Sequence, residues 1–314
     1  MQIVRGLAAV DPGTCVVLTI GVFDGVHRGH LQLIEQVRQR ARALDCVSAV
    51  ITFDPHPRAV LTAGSATPYL TTLDEKIVLL DKAGVDLLII LTFTREMADT
   101  PAATFMQLIC DYLSIQELMV GPDFALGSQR EGTLPLLEQV GEQLGFDVRS
   151  VMPLLMDGRL VSSTRIRETL AQGDVREAAR LLGRPYTLYG KVVLGAQRGR
   201  TLGFPTANLA RNDEGVALGR GQVLPADGVY ATYALLGDER LPSVSNVGVR
   251  PSFDNGERLV EAHILDFDRD IYGEVLGIEF IERLRDEKRY ESINQLVAQI
   301  QQDVIQARPL LVGS

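Results

Sequence analysis

The sequence predicts an α/β domain built on a doubly wound parallel sheet, followed by a small antiparallel β-barrel with a terminal helix. The length of 314 residues suits two domains of ~150 residues each. The first half alternates short apolar runs with helical patterns, as in a doubly wound sheet. From Tyr186 the segments are short and extended, and Gly, Pro, Asn and Asp separate them. We therefore expect domains at 1–184 and 185–314, divided beside Gly183 and Pro185.

The apolar runs of the first half are rich in Val, Ile or Leu along their whole length, which is typical of strands buried on both faces. The intervening stretches place apolar residues on one helical face. The predicted strands are 16–20, 47–53, 85–93, 117–121 and 148–152, and the predicted helices are 31–44, 73–83, 101–113, 134–144, 164–171 and 175–182.

The second half is predicted to form the barrel strands and one amphipathic helix. Ser292 is a suitable N-cap for that helix, and Pro309 is expected to end it. Its apolar stripe is expected to pack against the barrel. The predicted strands are 188–194, 228–234, 243–249, 259–264 and 275–283.

Composition excludes several classes of protein. The net charge of −9 argues against binding a long nucleic-acid backbone, but it allows a small phosphorylated ligand. The N-terminus does not resemble a signal peptide, and the apolar run 87–91 is too short to cross a membrane. Cys15, Cys46 and Cys110 are distant from one another, which indicates buried, reduced thiols in a cytoplasmic protein rather than a zinc site.

Three of the four histidines follow the first two predicted strands directly. His27 and His30 come after the first strand, and His56 comes after the second. In a parallel sheet this is the edge where ligands bind. Their clustering there favours a functional role over scattered structural histidines.

His27 and His30 stand in the segment Gly-Val-Phe-Asp-Gly-Val-His-Arg-Gly-His, residues 21–30. Gly21 permits a tight turn, and Gly29 lets the backbone approach a phosphate. A helix beginning near His30 would aim its free N–H groups at the same place. The two imidazoles could then stabilise charge that develops on a phosphate. A metal pair is the alternative, although a third close ligand is lacking.

Residues 162–167, Ser-Ser-Thr-Arg-Ile-Arg, open a predicted helix. A hydroxyl-rich N-cap followed by arginines could hold a triphosphate, or it could be a simple cap with solvated arginines.

In the second domain, residues 195–208 are rich in Gly and Arg, which suits a phosphate cradle or an ordinary surface loop. Thr206 and Asn208 would share one face of an extended stretch, and their oxygens suit Mg²⁺.

Segment 21–30 resembles the His-x-Gly-His motif of nucleotidyltransferases and, in its extended form, the FAD synthetase branch of bacterial bifunctional riboflavin kinase/FAD synthetases. Segments 52–57 and 121–127 are similar to further motifs of that branch. The resemblance implies catalysis by His27 and His30. It implies ATP binding by Gly21, Phe23, Asp24, Gly29, Ser162, Ser163, Thr164, Arg165 and Arg167, and flavin binding by Phe53, Pro55, His56, Pro57, Asp123 and Phe124.

Residues 199–209, Gly-Arg-Thr-Leu-Gly-Phe-Pro-Thr-Ala-Asn-Leu, resemble the riboflavin kinase motif of the same family, and segments 225–230, 245–251 and 260–267 are also similar to it. The resemblance implies that Glu261 is the base for the riboflavin 5′-hydroxyl, a role open to a carboxylate within hydrogen-bond reach. It implies ATP binding by Gly195, Arg198, Gly199, Arg200, Gly203 and Pro205, and Mg²⁺ binding by Thr206 and Asn208.

The resemblance thus implies a cytoplasmic enzyme that converts riboflavin to FMN and FMN to FAD with ATP and Mg²⁺, without nucleic-acid or membrane partners. Two other hypotheses remain at this point. One is a nucleotidyltransferase for another phosphorylated acceptor, against which the Pro-Thr-Ala-Asn segment argues. The other is a flavin- or nucleotide-binding sensor without catalysis.

Overall fold

A computed structural model describes residues 1–62, 68–195, 199, 202–210, 221–249 and 258–311. The contacts divide the chain into two compact units. Unit 1 comprises Met1–Thr67 and Thr71–Ser162, and unit 2 comprises Pro68–Leu70 and Ser163–Ser314. Helices 163–171 and 175–182, expected to close the first domain, therefore group with unit 2. The functional boundary beside Pro185 stays a prediction.

Unit 1 contains a parallel sheet, which confirms the predicted fold class. In the described residues it has six strands, in the order β1-β4-β3-β2-β5-β6. All five predicted strands are present, and the short edge strand β1 was not predicted. The strands are β1 Gln2–Arg5, β2 Thr14–Ile20, β3 Val47–Asp54, β4 Leu87–Thr92, β5 Leu113–Val120 and β6 Asp147–Ser150.

Helices cover both faces of this sheet, because the strands are apolar on both sides. Leu18 of β2 belongs to a core cluster that also contains Met106 and Leu137, whereas Val17 packs with Val37 on the opposite face. The helices are α1 Arg28–Ala43, α2 Pro57–Leu61, α3 Leu73–Lys82, α4 Arg95–Ala98, α5 Ala102–Cys110 and α6 Leu134–Leu144. A hairpin of β7 Leu155–Met156 and β8 Arg159–Leu160 follows the sheet.

Unit 2 contains the predicted barrel. The described strands close in the order β10-β13-β12-β11-β14-β9, and every neighbouring pair is antiparallel. Helices α7 Ser163–Ala171 and α8 Val175–Leu182 precede it, and α8 packs against β9 and β14. The strands are β9 Tyr186–Val193, β10 Ala207–Ala210, β11 Gly228–Leu236, β12 Glu239–Val249, β13 Arg258–Ile264 and β14 Val275–Arg285.

The terminal helix α9, Ile293–Leu311, corrects one prediction. Ser292 Oγ accepts a hydrogen bond from Gln295 N at 3.3 Å, as expected of an N-cap, but Pro309 lies inside the helix rather than ending it. The last turn persists because Leu311 is buried and its carbonyl accepts a hydrogen bond from the Tyr233 hydroxyl. Tertiary contacts therefore hold a turn that proline would otherwise weaken.

The cysteines differ from expectation as well. Cys15 of β2 and Cys46, directly before β3, form a disulfide, whereas Cys110 is a free thiol. The pairing was not predicted because the two cysteines are 31 positions apart in the sequence, and only the pairing of neighbouring parallel strands brings them together. In the described part of the chain, no helix is both long enough and apolar enough to cross a lipid bilayer.

Candidate active sites

His27 and His30 lie together at the start of α1. His27 is the N-cap of the helix, and its Nδ1 accepts a hydrogen bond from His30 N at 3.3 Å. The two rings stack with centroids 3.6 Å apart and planes inclined by 16°. Because Nδ1 of His27 is an acceptor, the neutral ring carries its proton on Nε2. The N-terminus of α1 and the two imidazoles thus lie at one location, which suits an anionic ligand.

The environment of His30 favours a neutral imidazole. Burial, and then the neighbouring His27 and Lys76, lower the pKa of His30 well below its ordinary value. The Phe23 ring meets the His30 ring edge-on at 5.1 Å, and no described residue hydrogen-bonds the buried Nδ1 of His30. At neutral pH His30 therefore donates one N–H rather than carrying a full charge.

The turn before α1 is packed tightly around the histidines. A Cβ on Gly29 would lie 3.2 Å from His27 Nδ1 and 3.3 Å from the Val161 carbonyl, so a side chain would crowd the pair. Asp24 is buried and accepts a hydrogen bond from Thr71 N at 3.3 Å, and Thr71 Oγ1 accepts one from Gly25 N. The predicted site residues of this turn are thus brought together, and the Asp24 carboxylate helps to hold the turn.

Sequence reasoning missed a buried lysine beside this turn. Lys76 of α3 is only 6% exposed, and its Nζ lies 3.5 Å from Thr52 Oγ1. Thr52 Oγ1 in turn donates to the Val22 carbonyl at 3.1 Å. The only sequence signal was a lysine on the face of α3 that also carries the buried Leu80.

The predicted flavin residues of unit 1 lie at the end of β3 and after β3 and β5. Phe53 packs edge-on against Phe93 at 5.6 Å, and the Asp54–Pro55 peptide bond is cis. His56 caps α2 by accepting from Arg58 N at 3.0 Å, and Pro57 occupies the first turn. After β5, Asp123 is exposed, and Phe124 packs against the core of the sheet.

The hydroxyl- and arginine-rich segment divides between the units. Ser162 ends unit 1, and Ser163, Thr164, Arg165 and Arg167 begin unit 2 within α7. Arg165 is buried and pairs with Glu177 at 2.8 Å, and Arg167 Nε donates to the Pro68 carbonyl at 3.2 Å. These arginines are therefore not a solvated surface, and their role toward a triphosphate stays a prediction.

In unit 2 the barrel places Asn208 and Glu261 directly opposite each other on β10 and β13. Opposed residues of an antiparallel pair share one face, with Cβ atoms about 4.5–5.5 Å apart. Asn208 is buried, and Glu261 is half-buried. A Cβ on Gly195 would collide with the Asn208 amide, so glycine is required for this close approach.

The remaining residues of this motif surround the start of β10. The Pro205 carbonyl lies 2.8 Å from His263 Nδ1, a contact that fixes the chain before Thr206. Gly203 has φ +84°, a conformation that favours glycine, and a Cβ on Gly199 would collide with the Phe204 carbonyl. Predicted site residues Arg198 and Arg200, and the segment 250–257, lie outside the described residues.

A cavity of about 350 Å³ adjoins this motif. Pro205 and Thr206 form one wall, and the segment 267–272, of which sequence reasoning assigned only Phe267, forms another. The exposed Tyr272 ring and the Asp268 and Asp270 carboxylates belong to that second wall. Its size and mixed apolar and polar lining suit a small organic ligand with a charged part.

Oxygen atoms predominate where Mg²⁺ is expected. Thr206 and Asn208 supply a hydroxyl and an amide oxygen, and Glu261 supplies a carboxylate opposite Asn208. These are hard ligands, and Mg²⁺ commonly takes few protein oxygens and completes its shell with water and phosphate. The residues present therefore fit the ion.

Comparison with known families matches both units. The FAD synthetase family matches residues 11–165, and the riboflavin kinase family matches residues 182–311. Proteins named bifunctional riboflavin kinase/FMN adenylyltransferase match nearly the whole chain. Those from Haemophilus influenzae and Escherichia coli K12 are each 38% identical over 312 residues, and that from Pseudomonas fluorescens is 39% identical over 318 residues.

These alignments cover 98%, 98% and 100% of this chain and 98%, 97% and 99% of the respective relatives. Among solved structures, one from Streptococcus pneumoniae, described as a macrolide-efflux protein, has a TM-score of 0.88 at 30% identity. It covers 98% of this chain and 99% of its own. That structure shares the arrangement of elements along the full length.

Proposed function

The chain belongs to the family of bifunctional riboflavin kinase/FMN adenylyltransferases, and from this we propose which of its residues perform the two reactions. The enzyme phosphorylates riboflavin to FMN and transfers AMP from ATP to FMN, giving FAD and pyrophosphate. The observation that supports our assignment is that each unit brings together its own pair of predicted site residues. These are His27 with His30 in unit 1 and Asn208 with Glu261 in unit 2.

In adenylyl transfer, a phosphate oxygen of FMN attacks the α-phosphorus of ATP, and pyrophosphate leaves. We assign His27 and His30 to stabilise the negative charge that builds on the α-phosphate oxygens, together with the N-terminal N–H groups of α1. Neutral imidazoles donate fixed hydrogen bonds there, so catalysis depends on their placement. Phe53, Pro55, His56, Pro57, Asp123 and Phe124 are proposed to contact the flavin.

In the kinase reaction, the 5′-hydroxyl of riboflavin attacks the γ-phosphorus of ATP. Glu261 is proposed to accept the hydroxyl proton. The cavity beside Thr206 is proposed to hold part of ATP. Thr206 and Asn208 would hold Mg²⁺, which neutralises phosphate charge when bound. Because both steps consume ATP, we place the enzyme in the cytoplasm.

The test is chromatography of products after incubation with riboflavin, ATP and Mg²⁺. His30→Ala should lower FAD formation by ~10²–10³-fold, the usual loss for one preorganised donor, and should leave FMN formation intact. The kinase in the same chain serves as the control for folding. FAD formation from added FMN within a few-fold of the unmodified enzyme would refute the role of His30.

A further inference from the structure

Lys76 is a buried cation that none of the assigned roles uses. It lies in the first half of α3, and its side chain is 6% exposed. Lysine is almost never buried to this degree unless it is paired, because removing an ammonium from water is costly. The residue therefore requires an explanation within unit 1.

The contacts of Lys76 lead to the turn that carries the histidines. Its Nζ donates to Thr52 Oγ1 at 3.5 Å, and Thr52 Oγ1 donates to the Val22 carbonyl at 3.1 Å. Two residues before the same helix begins, Thr71 binds the other side of the turn through Asp24 and Gly25. The region around α3 thus holds residues 22–25 from two sides.

The charges around Lys76 are also linked to the site. The Asp24 and Asp54 carboxylates are its negative neighbours, and they oppose the lowering of the Lys76 pKa by burial. Burial lowers the pKa of His30 most, and the neighbouring His27 of the α1 N-terminus and Lys76 of α3 lower it further. Lys76 therefore joins the Asp24 turn, the end of β3 and His30 in one electrostatic cluster.

We propose that Lys76 is a positioning residue for adenylyl transfer: its buried ammonium anchors the turn that carries His27 and sets the charge balance around His30. It acts through the histidines and is not assigned a contact with substrate. This inference rests on the proposed function of His27 and His30 in FAD formation.

The test compares Lys76→Met with Lys82→Met in the full chain. Both variants remove one ammonium from α3, but Lys82 is exposed and lies in the last turn of the helix. With saturating ATP and FMN, Lys76→Met should lower kcat for FAD formation at least fivefold, because a small displacement of catalytic groups costs much of their effect. Lys82→Met should be unchanged, and riboflavin kinase turnover should be unchanged in both.

A spectroscopic readout separates charge balance from simple loss of packing. The chain has only four histidines, so ¹⁵N-histidine NMR spectra can be assigned with single His→Gln variants. Removing the Lys76 charge should raise the titration midpoint of His30. In Lys82→Met the titration midpoint of His30 should remain unchanged.

A smaller loss of FAD formation in a folded Lys76→Met, or an unmoved His30 midpoint, would overturn the proposal. If Lys76→Met does not fold, Thr52→Val tests the role of Lys76 instead. This variant removes the hydroxyl between Lys76 and Val22 and keeps the side-chain shape. A fivefold loss in that variant would support the proposal, and a smaller loss would overturn it. His30→Ala is measured in parallel. If His30→Ala forms FAD normally, the proposed function is refuted. If His30→Ala loses FAD formation and Lys76→Met keeps it, only the role of Lys76 is refuted.

Discussion

A kinase fragment that begins at Ser163 should be more stable than one that begins at Pro185. The shorter fragment lacks α7 and α8, and α8 packs against β9 and β14 of the barrel. Val175, Leu181 and Leu182 of α8 are at most 1% exposed. The Arg176–Glu282 ion pair also joins α8 to β14. Removing the helices exposes the barrel surface that these residues cover.

The expected loss follows from the three large side chains. Burying a Val or Leu fully contributes ~1.5–3 kcal/mol, so the three together contribute about 4.5–9 kcal/mol as an upper estimate. The free energy of unfolding of a whole domain is ~5–15 kcal/mol. The fragment 185–314 should therefore unfold at a much lower urea concentration than 163–314, or fail to fold.

Urea titrations followed by far-UV circular dichroism measure this difference, and FMN formation reports whether the folded fragment is active. Within the full chain, Leu181→Ala should lower the stability of unit 2 by ~2–5 kcal/mol. Arg180→Ala, which removes an exposed neighbour, should change it by at most ~1 kcal/mol. Equal urea midpoints for the two fragments would refute the reasoning, because α7 and α8 would then contribute nothing to the barrel.

Three further predictions concern catalysis, pH and the disulfide. Glu261→Gln should lower kinase turnover by ~10²–10⁴-fold and leave adenylylation of added FMN intact, and equal loss of both activities would argue against a base. Because burial and the neighbouring His27 and Lys76 lower the pKa of His30, the unfolded chain gains the proton first as pH falls below ~6.5. The free energy of unfolding should then fall by up to about 1.4 kcal/mol per pH unit until the folded-state pKa is reached. His30→Asn should flatten that slope, and an unchanged slope would contradict the prediction. The disulfide closes a loop across 31 positions, so Cys15→Ser should lower stability under oxidising conditions by about 3–4 kcal/mol, whereas stability equal to that of Cys110→Ser would count against this.

Much of the fold could be predicted because the strands of unit 1 are apolar on both faces. The segments between these strands show the strong apolar periodicity of helices. The edge strand β1 was missed because four residues of mixed burial give little pattern. Pro309 was misjudged because a local rule about proline ignores the contacts that Leu311 makes with the barrel. The contacts group the helices at 163–182 with the barrel rather than with the sheet, because the sequence shows where helices are but not what they pack against.

Motifs indicated the candidate sites because glycines and histidines occur there in short, ordered segments. The spacing of residues within a motif was therefore enough to predict that His27 lies near His30 and that Thr206 and Asn208 share a face. Lys76 was missed because its partners Thr52 and Asp24 lie 24 and 52 positions away, and only the packing of α3 shows that they meet. The cavity wall 268–272 was missed because the sequence of a charged loop does not show what the loop packs against in the folded barrel.

The N-cap role of His27 has a consequence for how substitutions at this position are tolerated and interpreted. One side chain both begins α1 through Nδ1 and is assigned to the chemistry through its other nitrogen. A change to alanine would remove both functions at once, adding about 1 kcal/mol of lost helix capping to any loss of turnover. Asparagine can cap the helix but has no imidazole, so His27→Asn separates the two contributions. A substitution at position 27 is thus expected to lower both the stability of α1 and the rate of FAD formation. Few side chains other than histidine could both cap the helix and supply an imidazole.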